Sequence, residues 1–171
     1  MTVSRFEEKQ GFHWLAYAAV AAVLIGALAA TIIAFMQPGE SEKLSEAWWL
    51  PLLMALAFAV GLNVFQMRTT VTGEQLVVQF GYLFPMYRKR IPCNTIRETR
   101  VVEYRPLRDA GGWGIRFGRF EKEPCRFLNS RGNRGVLIET ELKRYIIGSQ
   151  KPEQLKGALD AVLERRAQEP A

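Results

Sequence analysis

Two charge-free apolar stretches, a long alternating middle and one short helical tail divide this chain of 171 residues. No residue between Gly11 and Met36 is charged, and the stretch from Ala47 to Met67 is equally free of charge. Each could form a helix that crosses a bilayer, which takes about 20 apolar residues. The pattern predicts an N-terminal tail and a two-helix transmembrane hairpin over residues 1–67, with spans at about 12–35 and 48–67. A cleaved signal peptide fits less well, because the first apolar core is too long and no small-x-small cleavage site follows it.

From Arg68 onward the period changes. "TTVTGEQLVVQFG" reads as two β-segments around Thr72, Gly73 and Glu74. "FPMYRKRIP", "TIRETRVVEYRP", "GWGIRFG", "PCRFLNS", "RGVLIETE" and "LKRYIIGS" continue the extended pattern. Only the last stretch is helical: Leu155, Ala158, Leu159, Val162 and Leu163 recur in steps of three and four. The expectation for residues 68–171 is about seven short strands forming a small β-barrel or orthogonal sandwich, closed by a C-terminal amphipathic α-helix. The fold class is thus mainly β within α+β, behind the apolar hairpin.

Charge then orients the hairpin. Of the 23 Lys and Arg, 20 lie after the second span, while the loop Gln37 to Glu46 carries Lys43 against Glu40, Glu42 and Glu46. Basic flanks stay on the cytoplasmic side, so both termini are expected in the cytoplasm. His13, Trp14, Tyr17, Trp48 and Trp49 lie near the span ends, where aromatic rings act as interface anchors. The small residues Ala18, Ala22, Gly26 and Ala30 suit packing of the helices on each other or on another membrane protein. Asn63 is the one strongly polar residue deep in a span. It is expected to bond across the hairpin or to lie near the interface.

Four segments carry a resemblance to a known family: "KRIP" at Lys89 to Pro92, "GGWGIR" at Gly111 to Arg116, "RGNRGVLIE" at Arg131 to Glu139, and "IIGSQKPEQL" at Ile146 to Leu155. Their order and spacing resemble the bacterial pleckstrin-homology-like membrane proteins, in which two spans precede a PH-like domain. The resemblance covers residues 68–167 and implies the PH-like fold and a multi-pass place in a bacterial inner membrane; it implies no activity. One departure is "ETELKRYIIGS", which lacks the acidic-Gly turn of the family's last hairpin.

Candidate chemistry is sparse. The only histidine is His13, which excludes a multi-histidine metal site, and Cys93 and Cys125 form no C-x-x-C. No cofactor and no catalysis are expected. Gly112-Trp113-Gly114 lacks the Lys-Ser/Thr and the following helix of a phosphate loop. It reads as a strand, with Trp113, Ile115 and Phe117 on one face. Trp113 then serves as a barrel-core or rim residue, with partner binding as the other reading. The candidate binding residues are Arg88, Lys89 and Arg90 as a basic cluster, Trp113 with Arg116, and Arg131 with Arg134 in a basic turn. They suit protein interaction, as a scaffold or assembly factor for other membrane proteins or as a homo-oligomer. The alternative is binding of anionic lipid headgroups near the membrane surface. Nucleic acid is not expected, because the basic residues are interleaved with acids.

Overall fold

The computed structural model describes residues 6–12, 14–36, 49–64, 66–81 and 83–168. The expectations placed on His13, Trp48 and the acidic loop at 37–46 lie outside the described residues.

The chain enters as a strand. β1 (Phe6–Gly11) runs to α1 (Trp14–Met36), and α2 (Leu50–Val64) returns to β2 (Gln66–Val71). β3 (Gln75–Phe80) and β4 (Tyr87–Pro92) complete an antiparallel four-stranded sheet in the order β1-β2-β3-β4. A single 3-10 turn, Cys93–Thr95, leads to β5 (Ile96–Glu103) and the short α3 (Pro106–Ala110). β6 (Gly114–Phe120), β7 (Glu123–Asn129), β8 (Arg134–Thr140) and β9 (Arg144–Gly148) follow, and α4 (Pro152–Gln168) ends the fold. The second sheet is ordered β5-β8-β9-β7-β6, with one parallel pair, β7 with β9.

Two expectations fail here. Among the described residues no helix is long and apolar enough to cross a membrane. That overturns the transmembrane hairpin and with it the multi-pass inner-membrane placement. At 1.5 Å per residue the 15 residues of α2 span about 22 Å, short of a hydrocarbon core of about 30 Å. The closed barrel also fails, because the strands form two open sheets. β1 pairs with β2 from Phe6 opposite Val71 to Gly11 opposite Gln66, so residues 6–11 are a strand of the first sheet.

The core lies between the sheets and under α4. Met67, Val71, Leu76, Val78, Phe80 and Ile91 point inward from the first sheet. Leu128, Val136, Ile138 and Ile147 meet them from the second, and α4 contributes Leu155, Leu159 and Val162. The other face of the second sheet is also covered. Tyr104, Cys125, Phe127, Leu137 and Ile146 form a second cluster with Ala110 of α3. A sheet buried on both faces needs apolar residues at consecutive positions, which accounts for the unbroken Val136-Leu137-Ile138.

Local chemistry sets the turns. Thr72 accepts from the Gln75 amide and donates to the Gln75 carbonyl, closing the β2–β3 connection. Thr140 does the same to Lys143 between β8 and β9. The β6–β7 turn instead places Glu121 and Lys122 at φ 54° and 72°, a left-handed conformation that costs non-glycine residues about 1–2 kcal/mol each.

Candidate functional site

The most conspicuous surface is apolar. Val23, Ile25, Ile32 and Ile33 of α1 and Leu52 and Leu56 of α2 are all exposed, Leu52 at 67%. The two helices touch each other, yet a Cβ built on Gly26 meets no atom within 4 Å. The row of small residues around it is therefore no close contact at that point. Trp14 and Trp49 are exposed near helix ends.

Asn63 extends this surface. Its amide donates to the Phe84 carbonyl at 2.8 Å, and its side-chain oxygen accepts from the amides of Leu83 at 2.7 Å and Phe84 at 3.3 Å. It binds the β3–β4 loop rather than crossing the helix pair. Gly81, at φ 93°, allows that approach, since a Cβ there would stand 2.2 Å from the Phe84 oxygen. The loop so held presents Leu83, Phe84 and Met86 to solvent, Phe84 at 74% exposure.

A polar seam ties β1 to the end of the second sheet. Ser149 Oγ donates to the buried Glu8 carboxylate at 2.6 Å, and the Gln150 amide donates to it at 2.9 Å. Gln10 donates to the Gly148 carbonyl at 3.0 Å and accepts from Ser130 Oγ at 3.1 Å. These are the inward positions of β1. Because they are Glu and Gln, the strand carries no apolar alternation to read from sequence.

The expected basic cluster divides. Strand alternation places exposed Arg88 and Arg90 on one face of β4 and Lys89 on the other. Lys89 Nζ lies over the Tyr145 ring, 5.4 Å from its centroid. Arg126 stands between Tyr87 and Phe117, at 5.3 and 4.8 Å from their centroids. Arg134 pairs with Glu153 and, at 3.8 Å, with Glu103. Arg131 accepts through its backbone carbonyl from Gln150. Trp113 is half-buried and its indole donates to the Gly132 carbonyl at 3.2 Å, while Arg116 donates to the Trp113 carbonyl at 3.2 Å. Trp113 therefore braces the turn at 131–133 and does not fill a core. Phe117, expected on its buried face, is 76% exposed.

The carboxylates are collected rather than scattered. Arg144, largely enclosed, meets Glu123 and Glu139 at 2.8 Å and Glu121 at 3.4 Å. Arg100 bonds Glu121 at 2.7 Å. The Arg100 hydrogen bond, with Arg144 beside it, holds the Glu121 carboxyl below its usual range. Burial pushes the Cys125 thiol up to about 12 and the Tyr104 phenol up to about 12. Cys125 is thus a neutral thiol at pH 7, not a nucleophilic thiolate. A cleft of about 530 Å³ is bordered by Arg105, Arg108, Asp109, Arg119 and Glu121. Asp109 there is taken up by the Arg105 amide and the Arg108 guanidinium, both at 2.8 Å. Among the described residues, no group of three or more His, Cys, Asp or Glu is arranged to hold a metal ion.

No family model matches the chain, and no curated protein matches it.

Proposed function

We propose that the protein is a non-catalytic interaction module, serving as a scaffold or assembly factor for a protein partner with an apolar surface. One observation carries this reading. The sheets enclose their own core, whereas both helices expose their large aliphatic side chains, continued by Leu83, Phe84 and Met86. An apolar patch of that extent on a folded chain marks an interaction surface. The bonds of Asn63 to the β3–β4 loop support it further, since they join α2 to the loop that carries Leu83 and Phe84. The PH-like resemblance agrees with a binding role and names no ligand. Headgroup binding has less support, because Lys89 is turned away from Arg88 and Arg90 and the three cations do not converge.

The test is co-purification of the intact tagged protein from its native source in mild detergent, with protein and lipid both identified by mass spectrometry. A stoichiometric protein partner, lost in the Leu52→Glu/Leu56→Glu variant, is the expected result. Recovery of enriched anionic lipid with no protein partner overturns the proposal.

A further inference from the structure

The first sheet ends in β4, whose outer side no strand pairs among the described residues. The hydrogen-bond phase of β4 follows from the bond between the Cys93 amide and the Glu74 carbonyl, 2.8 Å. Those two residues are directly opposite in the register that sets Pro92 against Gln75. Antiparallel ladders alternate bonded and non-bonded pairs. Ile91, Lys89 and Tyr87 therefore face β3 with their backbone groups. The amides and carbonyls of Arg88 and Arg90, and the carbonyl of Pro92, point away from the sheet.

The same two residues are the basic ones. Arg88 and Arg90 are exposed, and among the described residues no acid pairs with either. Beside Lys89 lies a groove of about 230 Å³ bordered by Arg90, Ile91, Leu142, Lys143 and Tyr145, with one acid, Glu141, on its rim. Leu142 is 90% exposed there. The other edges differ: α4 packs on β5 and α3 on β6, and β1 is bound to the second sheet through Glu8 and Gln10.

We infer that β4 accepts an extended acidic peptide segment of a partner protein as a fifth strand of the first sheet, its acids facing Arg88 and Arg90 and an apolar side chain entering the groove beside Lys89. Strand addition uses the outward amides and carbonyls for affinity and the alternating side chains for selectivity. A second copy of β4 does not fit, because two such edges would bring arginine against arginine, and like charges directly opposite are unfavourable. A segment alternating acid with Val or Ile fits both faces. The inference names the chemistry of a partner and so rests on the interaction reading, but it uses a surface distinct from the helix pair.

The test uses the full chain and a fluorescein-labelled peptide of alternating glutamate and valine, read by anisotropy. Its companion is the same peptide N-methylated at the glutamates, whose amides are the ones that would bond the outward groups of Arg88 and Arg90. The expected result is saturable binding of the first peptide, weakened about tenfold or more by Arg88→Glu/Arg90→Glu and by N-methylation. Circular dichroism and urea midpoint of the variant should match wild type, since both side chains are solvent-facing. Equal binding of both peptides, or no loss in the charge-reversed variant, overturns the inference. So does binding to phosphatidylglycerol vesicles without binding to either peptide. The co-purification above tests the helix surface through Leu52 and Leu56, so one result can fail while the other stands.

Discussion

Replacing Gly118 with alanine isolates one close approach in the second sheet. A Cβ built there lies 2.0 Å from the Asp109 carbonyl oxygen and 3.0 Å from Phe127 Cε2. Both obstacles are firm: one is backbone and the other a ring fully buried in the core. Relief requires β6 and α3 to separate by about 1 Å, and α3 is five residues long, too short to keep its shape alone. Overpacking a filled site costs about 1–3 kcal/mol, and a backbone obstacle puts Gly118→Ala at the upper end. For a chain of this size that lowers the melting temperature by about 6–10 °C. The matched control is Gly157→Ala in α4, where a Cβ meets nothing within 4 Å. In a helix interior that change stabilises by about 0.5–1 kcal/mol. Equilibrium urea unfolding of the full chain, followed by tryptophan fluorescence, reads both. If Gly118→Ala unfolds at the wild-type midpoint while Gly157→Ala moves upward, the packing account of the glycine is wrong.

Further outcomes follow from the polar and ionisable groups. Lys122→Gly should stabilise by about 1 kcal/mol, because it removes a left-handed non-glycine residue; a lower urea midpoint would contradict the strain. Arg144→Ala should cost about 1–3 kcal/mol, since it leaves Glu121, Glu123 and Glu139 without their shared cation; calorimetry checks it. The carboxyl of Glu121 is lowered in the fold, so its contribution is present above about pH 4.5 and is lost as pH falls through the folded value. Arg100→Met should flatten that acid limb of the urea midpoint against pH. Tyr104 and Cys125 have raised values, so their contribution is present below the unfolded pKa and is lost as pH rises toward about 12. For Tyr104 alone the shift from 10.0 to about 12 amounts to about 3 kcal/mol. Stability should therefore fall between pH 10 and 12, and Tyr104→Phe should remove much of that fall. In the native state Cys125 should react with a thiol reagent far more slowly than in urea.

Much of the sheet architecture was readable residue by residue. Alternation marked the strands of the first sheet after β1, unbroken apolar runs marked β8 and β9, which are buried on both faces, and the steps of three and four marked α4. β1 was illegible for a physical reason: its inward side chains, Glu8 and Gln10, are polar and are satisfied by Ser149, Gln150, Gly148 and Ser130. Partners more than a hundred residues away leave no local signature. The helix pair misled in the opposite way. Apolar composition reports that a surface needs cover and does not report what covers it or how far the helix runs. The basic cluster at 88–90 was visible as composition, whereas its division between two faces needed only the period of two that a strand imposes. Trp113 read as a barrel-core or rim residue because it lies between glycines on one face of a strand. Its indole N–H serves the turn at Gly132 instead.

The register of Gly11 against Gln66 means that α1 and α2 leave and rejoin the sheet at neighbouring strands, about 4.8 Å apart. Topologically the helices are an insertion into a β-hairpin. Two chains leaving one rigid edge side by side act as a lever with a single fulcrum. A tilt of the helices must twist the β1–β2 pair, and the Glu8 and Gln10 bonds pass that twist on to Gly148 and Ser149. The same geometry makes the helices removable. Joining Gly11 to Gln66 through Asn-Gly, a two-residue turn suited to the strand twist, should leave a sheet domain that folds without them.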